Sequence, residues 1–188
     1  MGYVTNEELD NIVNQEASSS WIRLGDGESV SGVLVGQAYE YHKFWDGAKS
    51  VVCTLEGGLK VTNKVGHRFL QNFATIDGEI QLFEGSKTLF KRIRNFQKLN
   101  MQEGPLAITI KREGEGMDTE YSVDLAKNRL ESAESPTGYV EMPIPADQIL
   151  SKLDETRLHD LAAIIEPQLA AFEAASLVGG SIESHTTF

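Results

Sequence analysis

The chain has 188 residues but only one cysteine, Cys53, and no long apolar run. A lone cysteine excludes a disulfide within the chain and is unremarkable in a reducing cytoplasm. Apolar runs of a few residues are too short to span a bilayer, and the first residues lack the basic start and apolar core of a signal peptide. These absences predict a cytoplasmic globular protein with no membrane partner.

Residue sets that carry catalysis are also missing. The sequence contains no Gly-x-Ser-x-Gly, no P-loop and no His-Glu-x-x-His, and its histidines are scattered at His42, His67, His159 and His185. Cys53, His42 and His67 offer three metal-ligand types, but because their spacing is unpaired we interpret them as ordinary core or surface residues. We therefore predict no enzymatic activity, no cofactor and no metal.

Positive charge is scarce overall and concentrated in the middle of the chain. The formal net charge is −11. Residues 35 to 112 contain 12 Lys and Arg against 7 Asp and Glu, whereas residues 113 to 188 contain 4 against 15 and the first 34 contain 1 against 6. A basic middle therefore lies between acidic ends, and the local potential matters more for binding than the net charge does.

The middle of the chain has the pattern of a small β-domain. From Trp21 onwards apolar residues alternate, and turn signals such as Asp46-Gly47 and Asp77-Gly78 separate strands predicted over residues 21–24, 29–41, 50–55, 68–74, 79–83, 106–111 and 119–123. Gly32 and Gly36 suggest bends or bulges in the longest strand. From Ser86 the period changes, and the sequence predicts a helix with one apolar face, formed by Leu89, Phe90, Ile93, Phe96 and Leu99.

This element order predicts a mainly β fold over residues 20–125, namely a five-stranded oligonucleotide/oligosaccharide-binding (OB) barrel with a helix between strands three and four. Residues 1–19 form a short acidic segment. Residues 126–145, with three prolines, are predicted to be a linker, and residues 146–176 a C-terminal α-helical appendage in which Pro167 breaks or restarts the helix. Residues 177–188 are predicted to be a disordered tail.

Aromatic and basic residues occur together in the basic middle. Alternate residues of one strand, Tyr39, Tyr41, Lys43 and Trp45, share a face, and Lys49 follows them. Phe69 and Phe73 share a face of the next long strand, with Arg68 on the opposite face. Single-stranded nucleic acid needs flat rings on which bases stack and cations for its phosphates, and each stacked base contributes about 1–3 kcal/mol.

The alternative for each aromatic residue is the hydrophobic core. We favour the core for Phe69, Phe73, Phe83 and Phe90, whereas Tyr41 and Trp45, which alternate with Lys43 near a hairpin tip, fit binding at least as well. The predicted helix carries a basic stripe at i, i+4, i+7 and i+11, formed by Lys87, Lys91, Arg94 and Lys98; such a stripe is usually a solvated face, but this one contains no acid. Lys111 and Arg112 in the last hairpin complete the candidate cations for DNA binding.

Four stretches of the chain, WIRLGDGESV (21–30), YEYHKFW (39–45), RFLQNF (68–73) and IKREGEGMDTEYSV (110–123), resemble tailed-bacteriophage single-stranded DNA-binding proteins. The resemblance implies an OB-fold protein that coats and protects single-stranded DNA during phage DNA replication, recombination or repair in the bacterial host cytoplasm. Many of these proteins carry a cysteine cluster after the tryptophan-bearing strand, of which only Cys53 is present here. Many also end in an acidic tail that recruits replication proteins, whereas the last five residues here are nearly neutral.

Other functions fit parts of the same sequence. The acidic C-terminal third could compete with DNA for the basic residues, so that deleting residues 146–188 would tighten DNA binding. Its Leu/Ile stripe equally fits a structural role, a homo-oligomer contact or docking on a phage or host replication protein. The main alternative is therefore an OB-like protein-interaction module that acts through its C-terminal helix, and a third is a small virion or assembly component.

Overall fold

The computed structural model describes residues 21–100, 105–154 and 157–179. The acidic segment predicted over residues 1–19 and residues 180–188 of the predicted tail lie outside this part. Six antiparallel strands form the main sheet: β1 (Ser29–Trp45), β2 (Ser50–Cys53), β3 (Gly66–Thr75), β4 (Ile80–Ser86), β5 (Ile108–Glu113) and β6 (Glu120–Leu125). The α-helices of the described ranges are α1 (Leu55–Val61), α2 (Lys87–Asn100), α3 (Ala146–Leu150) and α4 (Leu161–Gly179).

Strand β1 organises the sheet because it pairs with three other strands. Its first residues pair with β5, its last four pair with β2, and β3 pairs along most of its length. The pairing with β3 shifts between Val35 and Tyr39, where Gly36, Gln37 and Ala38 bulge opposite Gln71. Gly36 has φ +71°, a conformation that glycine adopts without strain, and Gln71 Nε2 donates a 2.7 Å hydrogen bond to its carbonyl.

The second glycine of β1 serves close packing. Gly32 pairs with Thr75 of β3 and with Ile108 of β5, so it is the residue at which β1 passes from one partner to the other. A Cβ at this position would lie 2.0 Å from the carbonyl oxygen of Ala74, a backbone atom. Only glycine fits this crossing point.

The sheet is open rather than closed into a barrel. Its order is β4-β3-β1-β5-β6, with β2 paired to the end of β1, and no pairing joins β4 to β6 in the described residues. The strand predicted over residues 21–24 is wrong, because only Trp21 makes an isolated bridge there, with Leu82. The other predicted strands and the helix between them are present in the expected order, with β4 as the short extra strand before α2. The mainly β class with a C-terminal helix is confirmed, while the structure shows an open six-stranded sheet where a five-stranded barrel is predicted.

Helix α2 covers one face of the sheet. Its apolar side, formed by Leu89, Phe90 and Ile93, packs on a buried cluster contributed by four strands: Phe73, Phe83, Ile108, Ile110 and Val123. Ser86 caps the helix, since its hydroxyl accepts a hydrogen bond from the backbone N–H of Leu89 at 3.2 Å. Leu99, predicted on the apolar side, is 86% exposed and lies beside Arg92 and Asn95, away from the buried residues of α2.

The opposite face of the sheet is covered by the C-terminal segment. Helix α3 buries Ile149 against Val33 and Ala74, and α4 buries Leu161 and Ile165 against residues of β1, β3 and β4. The amide of Asn72, a buried polar side chain of β3, donates to the carbonyl of His159 at 3.3 Å and accepts from its N–H at 3.4 Å. The segment preceding α4 is therefore held on the sheet by hydrogen bonds as well as by apolar contacts.

Three further segments differ from the sequence prediction. The predicted linker contains a two-stranded antiparallel ribbon, β7 (Lys127–Glu131) and β8 (Tyr139–Pro143), whose residues are all exposed. Residues after Cys53, predicted as the end of a strand and a loop, form α1, which Thr54 caps. Helix α4 continues through Pro167 and includes residues 177–179 of the predicted tail, so proline neither breaks nor restarts it.

Candidate nucleic-acid interface

The basic stripe of α2 (Lys87, Lys91, Arg94 and Lys98) is exposed along its whole length. Within residues 21–100, 105–154 and 157–179, no carboxylate forms an ion pair with any of the four, whereas Lys43, Lys60, Lys111 and Lys127 all have carboxylate partners. A helical repeat of 3.6 residues places the stripe on one side of α2 while the apolar residues face the sheet. The stripe therefore presents uncompensated positive charge to solvent.

A groove runs between this side of α2 and the bulge of β1, and we call it the α2 groove. Its volume is ≈ 660 Å³, and it is lined by Phe69, Phe90, Gln71, Lys87, Lys91, Arg94 and residues 36–38. The bulge matters because it displaces three residues of β1 at the rim. Three cations and one partly exposed aromatic ring thus line a single groove.

Partly exposed rings continue from Phe69 towards the far end of β1. His42 and His67 occupy paired positions of β1 and β3, and their rings stack with centroids 4.7 Å apart and planes 14° apart. The ring of Phe69 lies 4.8 Å from that of His67 and 5.3 Å from that of Phe90. We call His42, His67 and Phe69 the ring ladder. The sequence does not reveal it, because the stacking depends on the register between two distant strands.

Electrostatics differ along the ring ladder. Burial lowers the pKa of His42 below its usual value, and the neighbouring His67 lowers it further. A Glu40 carboxylate oxygen lies 2.5 Å from Nε2 of His67, off the line of a hydrogen bond. His42 is therefore held neutral at neutral pH and offers a ring rather than a cation.

Three of the predicted DNA-binding residues converge instead on Glu84. The Tyr41 hydroxyl donates a 2.7 Å hydrogen bond to Oε2, Lys43 Nζ donates to Oε1, and Arg68 Nε lies 3.9 Å from Oε1. Burial raises the pKa of Tyr41 far above its usual value, and the charge of Glu84 and this hydrogen bond raise it further. Tyr41 is 4% exposed, so its ring is a core contact that no base can reach, and Glu84 compensates the charge of Lys43.

Two further predicted aromatic residues are covered by the fold. Phe73 is fully buried beneath α2, in agreement with the core alternative. Tyr39 is partly buried beneath α4, and burial followed by the charge of Glu166 raises the pKa of its phenol. The sequence places Tyr39 and Tyr41 on one strand face correctly, but α4 packs against that face.

Trp45 and Lys49 remain exposed at the hairpin between β1 and β2. Trp45 is 64% exposed and pairs with Ser50. About 23 Å of strand separates Trp45 from the bulge at Ala38, at 3.3 Å per residue. The structure therefore does not bring Trp45 and Lys49 together with the α2 groove.

The predicted cations of the last hairpin are engaged locally. Lys111 Nζ donates a 2.6 Å hydrogen bond to Glu113, which raises the pKa of this exposed amine. Arg112 donates to the carbonyl of Leu24 at 2.6 Å and lines a separate pocket together with Arg68 and Arg92. Arg92 lies outside the basic stripe and is not among the residues that the sequence predicts for DNA binding.

No metal-binding cluster of three or more His, Cys, Asp or Glu residues exists in the part of the chain that the structure describes. Cys53 is buried, and its pKa is raised by burial.

By length and mean hydropathy, residues Leu161–Val178 of α4 are long and apolar enough to cross a bilayer, although core helices of soluble proteins satisfy the same measure. This finding alone assigns no location to α4.

Similarity to known proteins does not indicate a function for this chain. No protein-family model matches the chain, no characterised protein matches its sequence and no solved structure matches it.

Proposed function

We propose that this protein binds single-stranded DNA in the α2 groove and catalyses no reaction. The observation that carries the proposal is the meeting in one groove of Phe69, whose side chain is partly exposed, with Lys87, Lys91 and Arg94, three cations that no carboxylate of the described residues pairs with. Phosphates would contact the side chains of α2 while a base stacks on Phe69. The groove combines the two features that single-strand binding requires.

The ring ladder extends the proposed path. Bases that follow the one on Phe69 would lie along His67 and His42, which continue the line of rings on the same face of the sheet. Because stacking uses the face that every base has, such a path makes the binding tolerant of sequence. Double-stranded DNA does not fit the proposal, because its bases are not free to stack on side chains.

The sequence resemblance supports a wider proposal. Proteins that resemble residues 21–30, 39–45, 68–73 and 110–123 coat single-stranded DNA in phage DNA replication, recombination or repair, and we propose the same role here. An OB-type fold, with its sheet open between β4 and β6 in the described residues, belongs to this proposal as well. It is supported by the strand order around α2 and by the bulged β1, which is shared among three partner strands.

Salt-dependent binding of a labelled oligo(dT) tests the function. For a single strand, removing one phosphate contact lowers the slope of log affinity against log salt by about 0.7. We expect Lys91→Gln and Arg94→Gln each to weaken binding and to lower the slope by about this amount. Lys127→Gln, an exposed lysine on the β7–β8 ribbon, serves as the matched control and should leave both quantities unchanged.

Two results would contradict the proposal. One is the absence of a mobility shift or an anisotropy change with oligo(dT) at low salt. The other is an equal loss of affinity in Lys127→Gln and Lys91→Gln, which would indicate attraction by overall charge rather than contact in the α2 groove. Far-UV circular dichroism of each variant establishes that the fold is retained.

The C-terminal helix favours a second candidate function, docking on a phage or host protein. Leu177 and Val178 in the last turn of α4 are 78% and 74% exposed, which is unusual for large apolar side chains. We expect Leu177→Lys to abolish such docking without changing oligo(dT) binding. Binding of a replication protein that is equally strong to the wild type and to Leu177→Lys would contradict this candidate.

A further inference from the structure

Three arginines line a pocket on the other side of α2. Arg68 of β3, Arg92 of α2 and Arg112 of β5 meet in a cavity of ≈ 500 Å³ between the first turns of α2 and the β5–β6 hairpin. Three hydroxyl side chains, those of Ser86, Thr88 and Thr119, also line it. We call this cavity the arginine pocket. It shares no lining residue with the α2 groove.

Two of the guanidinium groups are fixed by backbone acceptors. Arg112 donates through Nη1 to the carbonyl of Leu24 at 2.6 Å and through Nη2 to Thr119 Oγ1 at 3.4 Å. Arg92 donates through Nη1 to the carbonyl of Tyr121. A guanidinium has five N–H donors, so these contacts orient each group and leave further donors available. Preorganised donors of this kind lose little entropy when they bind an anion.

Two of the guanidinium groups also have one N–H that forms no hydrogen bond. The Nε atoms of Arg68 and Arg112 are buried, and no acceptor in the described residues forms a hydrogen bond with either. A buried donor without an acceptor is destabilising, more so when the group is charged. Because these two Nε atoms are closed off from solvent, a bound anion would neutralise the guanidinium charges through the remaining donors rather than bond to Nε itself.

The charge balance favours a doubly charged anion. Glu120 is the one carboxylate among the described residues that line the pocket. Glu84 lies 3.9 Å from Arg68 but already accepts hydrogen bonds from Tyr41 and Lys43. The three guanidinium groups carry three positive charges and Glu120 carries one negative charge, so the pocket has an excess of about two positive charges. The hydroxyl groups of Ser86 and Thr88 and the start of α2 add neutral donors of the kind that bind phosphate, whereas the Thr119 hydroxyl donates to the carbonyl of Gly116.

We propose that the arginine pocket binds a phosphate dianion, supplied either by the terminal phosphate of a nucleic acid or by free phosphate. Arginine pairs bidentately with phosphate oxygens, and an internal phosphodiester carries one charge fewer than the pocket can compensate. The proposal does not depend on the α2 groove. It predicts a preference for phosphorylated DNA ends that groove binding alone does not produce.

Three ligands test the site and distinguish the two sources of its phosphate. They are inorganic phosphate, a 5′-phosphorylated oligo(dT) and the same oligomer with a 5′-hydroxyl. The resonances of the arginine Nε–H groups in NMR spectra report binding directly. We expect inorganic phosphate to shift those of Arg68 and Arg112, and Arg92→Gln to weaken this binding at least about tenfold. Glu120→Gln should tighten it, because it removes the opposing charge.

Arg129→Gln is the matched control, since Arg129 is exposed on the β7–β8 ribbon and lines neither the arginine pocket nor the α2 groove. Tighter binding of the phosphorylated oligomer, abolished in Arg92→Gln but kept in Arg129→Gln, would identify a DNA end as the source. Phosphate binding without that preference would identify free phosphate. If phosphate moves no arginine resonance at millimolar concentration, or if Arg92→Gln and Arg129→Gln weaken its binding equally, the proposal is wrong. Loss of oligo(dT) binding in Arg94→Gln alone bears only on the α2 groove.

Discussion

The hydroxyl of Tyr41 donates a 2.7 Å hydrogen bond to the carboxylate of Glu84, which Lys43 contacts through the other oxygen. This hydrogen bond joins β1 to β4 across β3 at the edge of the core beneath α4. Tyr41→Phe removes the donor and leaves a partly buried carboxylate with one partner fewer. We expect the free energy of unfolding, measured by urea titration, to fall by about 1–3 kcal/mol.

Tyr139→Phe provides a control for the Tyr41 variant. Tyr139 is exposed on the β7–β8 ribbon, where Arg129 lies over its ring at 4.1 Å, and removal of its hydroxyl should leave stability within about 0.5 kcal/mol. Oligo(dT) affinity should be unchanged in both variants. A weaker oligo(dT) affinity in Tyr41→Phe at unchanged stability would indicate that the Tyr41 hydroxyl contacts DNA.

Phe69 and Phe73 lie on the same face of β3 but differ in accessibility. Phe73 is fully buried, so Phe73→Ala should lower the free energy of unfolding by about 3–5 kcal/mol. Phe69 lines the α2 groove, and Phe69→Ala should weaken oligo(dT) binding by about 1–3 kcal/mol with a smaller decrease in stability. Parallel urea and anisotropy titrations separate the two effects. An unchanged affinity in a folded Phe69→Ala variant would place base stacking elsewhere.

Local patterns in the sequence predict the parts of the site that depend on one element. The basic stripe of α2 follows from helical spacing, and the strands β3, β5 and β6 follow from alternation and turn residues. The ring ladder does not, because the pairing of His42 with His67 depends on a register that the bulge at residues 36–38 shifts. The burial of Tyr39 and Tyr41 also escapes prediction, because it depends on where α4 packs.

Two local signals mislead for physical reasons. Gly57 and Gly58 are typical of a loop, yet a Cβ on Gly58 would lie 2.6 Å from the sulfur of Cys53, so close packing of α1 requires glycine. Pro167 removes one backbone donor, yet α4 continues through it while Leu161 and Ile165 remain buried on the sheet. In both cases tertiary packing decides the local conformation.

His42 makes stability depend on pH. Burial and His67 lower its folded-state pKa below the unfolded value, so below about pH 6.5 the unfolded chain binds a proton that the folded protein excludes. This contribution to stability is therefore present above the unfolded pKa and disappears as the pH falls below it. Urea midpoints measured between pH 8 and pH 5 should decrease less in His42→Phe, which keeps a ring, than in the wild type.

His159→Gln is the comparison for this pH series, because His159 contacts Asn72 only through its backbone atoms in the described structure. Its pH dependence should follow that of the wild type. Identical curves for wild type and His42→Phe would show that the stacked pair does not resist protonation, and would indicate the carboxylates as the source of acid sensitivity.

Helix α4 is expected to support the fold rather than to compete with DNA. Ile165 is buried on the sheet face opposite α2, so Ile165→Ala should lower the free energy of unfolding by about 2–5 kcal/mol, whereas Leu177→Ala on the exposed last turn should change it by less than about 0.5 kcal/mol. Removing two charges by Glu166→Gln with Glu173→Gln should change oligo(dT) affinity less than about twofold, since α4 and the α2 groove lie on different faces. A larger gain in affinity at low salt that disappears at high salt would show that the acidic segment competes with DNA after all.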